Sequence, residues 1–495
     1  MKLLLATTPQ INSREYEAIQ LPLNLGYLTE HLKTQGIEVI AVDAYGLKME
    51  PKALISLILK ENPDLVGFSG VLPHFNHLKN LINDLRKEFT KPIVVGGPIV
   101  MIGKPLLDKL NVNFLISGEG EYSIPKLMAA IQTKKGFEKV EGLIYRKGNQ
   151  ILENKTECIT NLENTPFPKY EFLPIEKYLY FNINKKKVLN PITIITSRGC
   201  PAQCIFCCRY HGNTARLRPA QHIISEITYW VKNFGHNEFN ICDSTFTIDK
   251  KRVLEFCDLL KKNNLKIKWS CQSRINTIDA QMMKRMRESG CKLIYYGVES
   301  GSQRVLNFMK KGIKAEKVRG VFSKTKKMGI GTLGSFIVGT PTETKQEIGA
   351  TIKLVKRLPA DFYLFSIFKP YPGTEAFELL KKENTQVTDD YALFGGHNLV
   401  FENTLSQDYL KNIVKEMYII QSEKILRKLK AIKNLKEIKN QKVVSWFDTL
   451  EAYMSAKPNK NALIPQKEIL ELANNIFRWN NTYYIYVEII RAMIS

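Results

Sequence analysis

Short apolar runs alternate with amphipathic stretches of helix length along most of this chain. In the first 135 residues, Lys2–Thr8, Glu38–Asp43, Leu65–Ser69, Pro92–Gly96 and Phe114–Ser117 are apolar runs of strand length. Between and after them, Leu25–Gln35, Leu54–Glu61, His77–Phe89 and Ser123–Ala130 carry apolar residues at helical spacing. Strands buried on both faces, joined by helical crossovers, predict a parallel, doubly wound α/β sheet. Ligands of such sheets lie beyond the C-terminal ends of the strands. The loops there are Thr7-Thr8-Pro9, Ser69-Gly70-Val71, Gly96-Gly97-Pro98 and Gly118-Glu119-Gly120-Glu121. Their glycines let the backbone approach a flat or bulky ligand. No G-x-G-x-x-G follows the first strand, which argues against a dinucleotide.

Residues 136–190 lose this rhythm and are expected to link two domains. Within them, Gly142 to Asn149 predicts a hairpin with a Gly-Asn turn, and Leu162 to Pro168 a proline-stiffened connector. From Ile192 the alternation resumes. Ile192–Thr196, Glu238–Cys242, Ile267–Gln272, Leu293–Gly297, Leu333–Val338 and Phe362–Phe368 predict strands. His222–Asn233, Lys251–Asn263, Ala280–Ser289, Gln303–Met309, Lys317–Met328 and Lys345–Arg357 predict helices between them. Six such units over residues 191–375 predict a partial TIM-type (β/α)6 barrel with an open side. Residues 376–495 read as helical. Lys411 to Lys442 is a lysine-rich amphipathic stretch, first a solvated helix face and second a peripheral membrane contact. Trp479, Tyr483, Tyr484 and Tyr486 are expected to close over the barrel's open side.

At 495 residues the chain is too long for one ordinary core. No apolar run is long enough to span a bilayer, and Leu3-Leu4-Leu5-Ala6 ends too early for a signal peptide. The expectation is a cytoplasmic protein. Nine cysteines, an odd number, with four clustered between 200 and 208, point to metal in a reducing compartment rather than to disulfides. The formal charge of +24 reads first as solvated lysine faces and second as an anionic partner.

The candidate chemistry sits in Ser197-Arg198-Gly199-Cys200-Pro201-Ala202-Gln203-Cys204-Ile205-Phe206-Cys207, directly after a predicted strand. Barrel active sites occupy such loops. Cys200, Cys204 and Cys207 could ligate three irons of a cubane that normally takes four cysteines. A structural zinc site competes, with Cys208 or His211 as fourth ligand. The run resembles the signature of radical S-adenosylmethionine (SAM) enzymes. That resemblance implies a [4Fe–4S] cluster on Cys200, Cys204 and Cys207, whose open iron binds the amino and carboxylate groups of SAM. It also implies reductive cleavage of SAM to a 5′-deoxyadenosyl radical, and a low-potential electron donor of flavodoxin or ferredoxin type.

Polar strand ends stand above this loop: Cys242 to Phe246, Ser273 to Asn276, Tyr296 to Ser302 and Ile337 to Glu343. A SAM site there would use Asp243 and Ser244. Arg274 would serve the carboxylate, Glu299 and Ser300 the ribose and ammonium groups, and Val338 and Gly339 the adenine. The local alternatives are Glu299 capping the next helix, Arg274 pairing with Asp243, and Gly339-Thr340-Pro341 being only a turn. Tyr295, Tyr296 and Tyr371 could line the pocket or pack the core.

Pro22 to Leu28, Val95-Gly96-Gly97 and Gly118 to Glu121 resemble the cobalamin-binding domain that precedes many radical SAM cores. On that resemblance Thr8, Pro9, Ser69, Gly70, Gly96, Gly97, Gly118, Glu119 and Gly120 would contact cobalamin. The Asp-x-His-x-x-Gly motif is absent, so no histidine ligand to cobalt is implied, and His74 and His77 read as surface residues. Methylation of an unactivated carbon of a small-molecule or lipid substrate, possibly anionic, is the leading expectation. The alternatives are a cyclase or oxidoreductase, a methylthiotransferase acting on tRNA or protein, and a non-catalytic binding module. The N-terminal domain has no cysteine before Cys158, which argues against the methylthiotransferase and its nucleic-acid partner.

Overall fold

The computed structural model describes residues 1–9, 20–183 and 186–433. Two parallel sheets dominate it. The first contains β1 (Leu3–Thr7), β2 (Val39–Val42), β3 (Leu65–Ser69), β4 (Ile93–Gly96), β5 (Phe114–Ile116), β6 (Leu143–Lys147) and β7 (Gln150–Glu153). Its order is β2-β1-β3-β4-β5-β6-β7. The first five strands are parallel, and β6 and β7 are antiparallel. The hairpin expected in the connector therefore extends the first sheet, because Leu143 and Ile144 are fully buried against it.

The second sheet contains β8 (Ile192–Ile194), β9 (Glu238–Ile241), β10 (Lys268–Arg274), β11 (Cys291–Glu299), β12 (Gly331–Val338) and β13 (Phe362–Ile367). They follow in sequence order, all parallel, and the two end strands do not pair. This is the expected open barrel. Side chains alternate strictly along its strands. Ile194, Phe239, Cys271, Ile294, Phe336 and Phe365 are buried. Asn240, Gln272, Tyr295, Ser335 and Ser366 stand on the opposite, half-open face. That face is polar, as a lumen that admits ligand and water requires.

The apolar core is continuous across the two units. Ile205, inside the cysteine run, is buried in the same apolar cluster as the first sheet's core, together with Phe368 and Ala376 from beyond the barrel. Its amide donates to Met309 O (3.1 Å), and its carbonyl accepts from Ala376 N (3.0 Å).

Beyond β13 come the helix Glu375–Lys382 and the long helix Gln407–Lys433. The latter covers the barrel's free edge. The β13 amides of Tyr363 and Phe365 donate to Gln421 Oε1 (2.6 Å) and Tyr418 Oη (3.4 Å). Leu410, Val414, Met417 and Tyr418 are buried beneath it. Much of the apolar side of this part of the helix is thus used inside the protein, while Ile419 is 46 % exposed. An unpaired strand edge needs exactly such cover. No helix among the described residues is long and apolar enough to cross a membrane. Trp479, Tyr483, Tyr484 and Tyr486 lie outside the described residues.

A candidate active site between two strand edges

The cysteine loop leaves β8 through Thr196 and Ser197. Asp243, just past β9, holds this exit. Its Oδ1 accepts from the amides of Thr196 (2.6 Å) and Ser197 (3.0 Å), and its Oδ2 from their hydroxyls (2.5 and 2.7 Å). Arg252 adds a charge at 3.5 Å. Asp243 is 1 % exposed, so the expectation that it contacts SAM is corrected: it anchors the loop. Gly199 then turns at φ +80°, where a Cβ would lie 2.2 Å from Thr214 O. Only glycine fits that turn.

The three thiols follow. Cys204 is buried, Cys200 half-buried and Cys207 exposed. Arg274 Nη1 donates to Cys204 Sγ (3.4 Å), and Thr245 Oγ1 lies 3.9 Å from Cys200 Sγ. Among the described residues no three His, Cys, Asp or Glu side chains gather closely enough for a single metal ion. A cubane presents its irons at separate corners and needs no such convergence. His211, the alternative zinc ligand, turns away instead, its Nδ1 3.2 Å from Glu119 Oε1. Burial, then the neighbouring Cys207, pushes the Cys208 thiol up to about 12. The donor set fits an iron–sulfur cube better than zinc.

Arg274 does not pair with Asp243. Besides Cys204, its guanidinium bonds the carbonyl of Lys311. Lys311 Nζ in turn pairs with Glu299 Oε1 at 2.6 Å and lies 5.9 Å from the Phe206 ring centroid. Glu299 does not cap the next helix; Ser302 does, accepting from Val305 N. Glu299 itself adopts φ +70° at a register shift between β11 and β12. Such irregularities re-aim side chains beside active sites. Gly297 makes room, since a Cβ there would lie 2.6 Å from both Glu299 Oε1 and Lys311 Nζ. Lys311 escaped the sequence reading because nothing in its local pattern marks it; only the fold brings it to Glu299.

Three other expectations are corrected. Ser300 is fully buried, bonding Thr351 Oγ1 (3.1 Å) and the amide of Ser302 (3.1 Å). Val338 is fully buried in the core. Gly339 faces Leu410, whose Cδ1 would be 2.6 Å from a Cβ. Its amide donates to Glu343 Oε2 (2.6 Å), and its carbonyl accepts from Asn403 Nδ2 (2.8 Å). The Ser300 hydroxyl is thus taken from the ribose and ammonium role, and both the amide and the carbonyl of Gly339 are engaged within the protein rather than open to adenine. Ser244 is exposed and remains available. Of the tyrosines, Tyr296 turns outward to Thr325 (2.9 Å), while Tyr295 and Tyr371 stay half-open.

Across from the thiols lies the C-terminal edge of the first sheet. Gly96, Gly97, Gly118 and Gly120 lie along it, whereas Gly70, expected there too, is buried, and a Cβ on it would lie 3.0 Å from both Ile99 and Leu78. A Cβ on Gly96 would meet only Ile116 O, at 3.9 Å, so the space before it is open. Gly97 turns at φ +83°, and a Cβ there would lie 2.8 Å from Ser69 Oγ. Tyr45 and Val71 beside it are each 39 % exposed. An open, glycine-lined edge with exposed flat and apolar groups fits a corrin ring.

Three further residues assigned to that ring face inward. Thr8 Oγ1 donates to Ser69 O (3.1 Å) and is 3 % exposed, and Pro9 is buried as well. Glu119 is 5 % exposed. It accepts from Arg216 Nη1 (2.7 Å) and Nη2 (2.9 Å) and from the amide of Ile159 (2.7 Å). Arg198 lies 3.4 Å away and also pairs with Glu121 at 2.6 Å. Burial alone would raise the Glu119 carboxyl, but the His211 and Arg216 hydrogen bonds and the Arg198 charge hold it well below the usual range. Glu119 therefore joins the first sheet to the cysteine loop rather than facing a ligand.

A thiol loop at barrel strand ends, opposite a glycine-lined Rossmann-like edge, defines a two-cofactor α/β enzyme. Residues 194–355 match the radical SAM superfamily and residues 10–128 the B12 binding domain. An uncharacterized methyltransferase of Pyrococcus horikoshii is 30% identical over 431 residues, which cover 85% of this chain and 92% of that one. The fold is similar to that of OxsB, a cobalamin-dependent S-adenosylmethionine radical enzyme, with a TM-score of 0.72, 17% identity, and coverage of 99% and 78%. It is similar too to the radical SAM methyltransferase TsrM of Kitasatospora setae, with a TM-score of 0.70, 15% identity, and coverage of 100% and 99%. The chain belongs to the radical SAM superfamily, in the branch that carries an N-terminal B12-binding domain.

Proposed function

We propose that this chain is a cobalamin-dependent radical SAM methyltransferase acting on a carbon of a small-molecule substrate. The observation that carries the reading is the facing of two strand edges: Cys200, Cys204 and Cys207 with Arg274, Lys311 and Glu299 on one side, and the Gly96–Gly97–Gly118 edge on the other. The three cysteines would hold a [4Fe–4S] cluster, and the first sheet's edge would hold cobalamin. When bound, these groups supply the electron for SAM cleavage and the methyl carrier.

The protein's own residues do the rest. Arg274 places a positive charge 3.4 Å from the Cys204 sulfur. Lys311 offers a cation for the SAM carboxylate. Glu299 and Ser244 offer acceptors for its ammonium and ribose groups. Asp243 and Arg252 fix the loop's departure angle, and Glu119, Arg198 and Arg216 fix the loop against the first sheet. The closed apolar core around Ile205 keeps water from the buried side of the loop.

The test is anaerobic purification with assay for iron, cobalt and the visible spectrum, followed by SAM and dithionite. Iron and corrin together, with 5′-deoxyadenosine or methylated product, support the reading. Zinc in the loop, or no metal, overturns it. Iron without corrin overturns only the methylation half.

A further inference from the structure

The charged groups at the barrel mouth do not balance. Lys311 is matched by Glu299, Arg274 bonds Cys204 and the Lys311 carbonyl with no carboxylate partner, and a second basic group stands further along the rim. Lys369 lies two residues past the end of β13. Its Nζ donates to Phe394 O (2.7 Å) and Gly396 O (2.6 Å), which leaves one of its three N–H groups uncommitted. The next residue, His397, has a buried Nδ1 with no hydrogen-bond partner. Its ring packs edge-on against Tyr418 at 6.4 Å. Lys411, near the start of the helix Gln407–Lys433, makes no hydrogen bond or ion pair among the described residues. Lys411 precedes Tyr418, which the His397 ring meets, by seven residues or two helical turns, on the same side of the helix; burial, then the charges of Lys369 and Lys411, lower the His397 imidazole below its ordinary value. Lys369 and Lys411 thus flank a neutral imidazole, and among the described residues neither lysine has an ion-pair partner, so an anion seated between them would balance both charges and meet the open His397 Nδ1.

Their place in the fold indicates whose anion. The segment before His397 rests on the loop that follows β3: Tyr391 meets the Phe75 ring at 5.0 Å, and a Cβ on Gly395 would lie 3.5 Å from Pro73. The start of the helix Gln407–Lys433 lies on Gly339, at the end of β12. The cluster therefore stands where the barrel's open side meets the first sheet's C-terminal edge. Tyr371, just past the end of β13, ties this loop down: its hydroxyl is 3.4 Å from Phe394 O.

We propose that Lys369, His397 and Lys411 form an anion-binding subsite that seats a phosphate or carboxylate group of the substrate at the open side of the barrel. This rests on the function proposed above, since it assumes a substrate lying between the thiols and the first sheet. SAM carries a carboxylate of its own, but Arg274 and Lys311 stand nearer the thiols and suit that group.

The experiment uses the full chain, reconstituted anaerobically, with inorganic phosphate as the probe in calorimetric titration. The expected result is saturable binding that Lys411→Gln weakens about tenfold and that the Lys369→Gln/Lys411→Gln double variant loses. Lys411→Gln removes no hydrogen bond from the rim, and iron and cobalt contents report that each variant is folded. Added SAM should leave phosphate binding in place. Absence of phosphate binding in the natural chain, unchanged binding in metal-loaded variants, or displacement of phosphate by SAM would each overturn the subsite. A natural chain that loads no iron or corrin would overturn the functional reading instead, a result read from metal content and not from the titration.

Discussion

The two parallel sheets end in opposite ways. The first presents glycines and backbone at its C-terminal edge, and its one conspicuous carboxylate there, Glu119, turns inward to Arg216 and Arg198. The second presents thiols, Arg274, Lys311 and Glu299. A large flat ring is accommodated by removing side chains, so that backbone can approach it. A small charged ligand is held by supplying side chains that pair with it. The same kind of strand edge thus serves two ligands by opposite means, and Glu119 joins the two rather than serving either.

The most severe way to break this comparison is Cys204→Ala. Iron content should fall from about four per chain to background, while corrin binding at the first sheet persists. Loss of both would show that the two edges are not separate sites. Next in size is Glu119→Gln. Removing its charge leaves Arg198 and Arg216 buried with reduced pairing, for a loss of about 3–5 kcal/mol, seen in chemical denaturation. Were Glu119 a corrin contact instead, cobalt content would fall with stability unchanged.

A third measurement concerns the opposite end of the second sheet, where His236 precedes β9 and is 1 % exposed. Burial lowers its imidazole from 6.5 to about 4. Between those values the unfolded chain binds a proton that the folded one refuses, so stability falls as pH drops through this window. The effect is about 3 kcal/mol across it, and His236→Asn should remove it without altering iron or cobalt content. The smallest effect is expected from Gly97→Val. The left-handed turn and the contact with Ser69 cost about 1–3 kcal/mol, and corrin content should fall while iron stays. Iron lost in step with cobalt would show that the first edge shapes the cluster loop.

Much of this was legible along the chain. All five parallel strands of the first sheet and all six of the barrel lie within two residues of where the apolar runs put them, because a strand buried on both faces must be continuously apolar. The cysteine loop was legible because its ligands are neighbours in sequence. Individual strand-end residues were legible as a group but not one by one. Asp243, Ser300, Val338 and Gly339 occupy the right loops yet point into the protein, and Lys311 lies on the site without any local mark. The amphipathic C-terminal helix was visible as a pattern, but a pattern does not say whether its apolar side meets lipid or the edge of β13.

The sequence by itself determined the strand and helix periods, the thiol spacing and the glycine positions, since each depends on residues a few places apart. Tertiary structure alone decided which carboxylates face a ligand and which are consumed in pairing. Glu119 and Arg216 meet across 97 positions, and Lys369 stands beside His397 because a loop folds back over β13. A side chain's partner is chosen by three-dimensional proximity and burial, and neither is encoded in the residues that flank it.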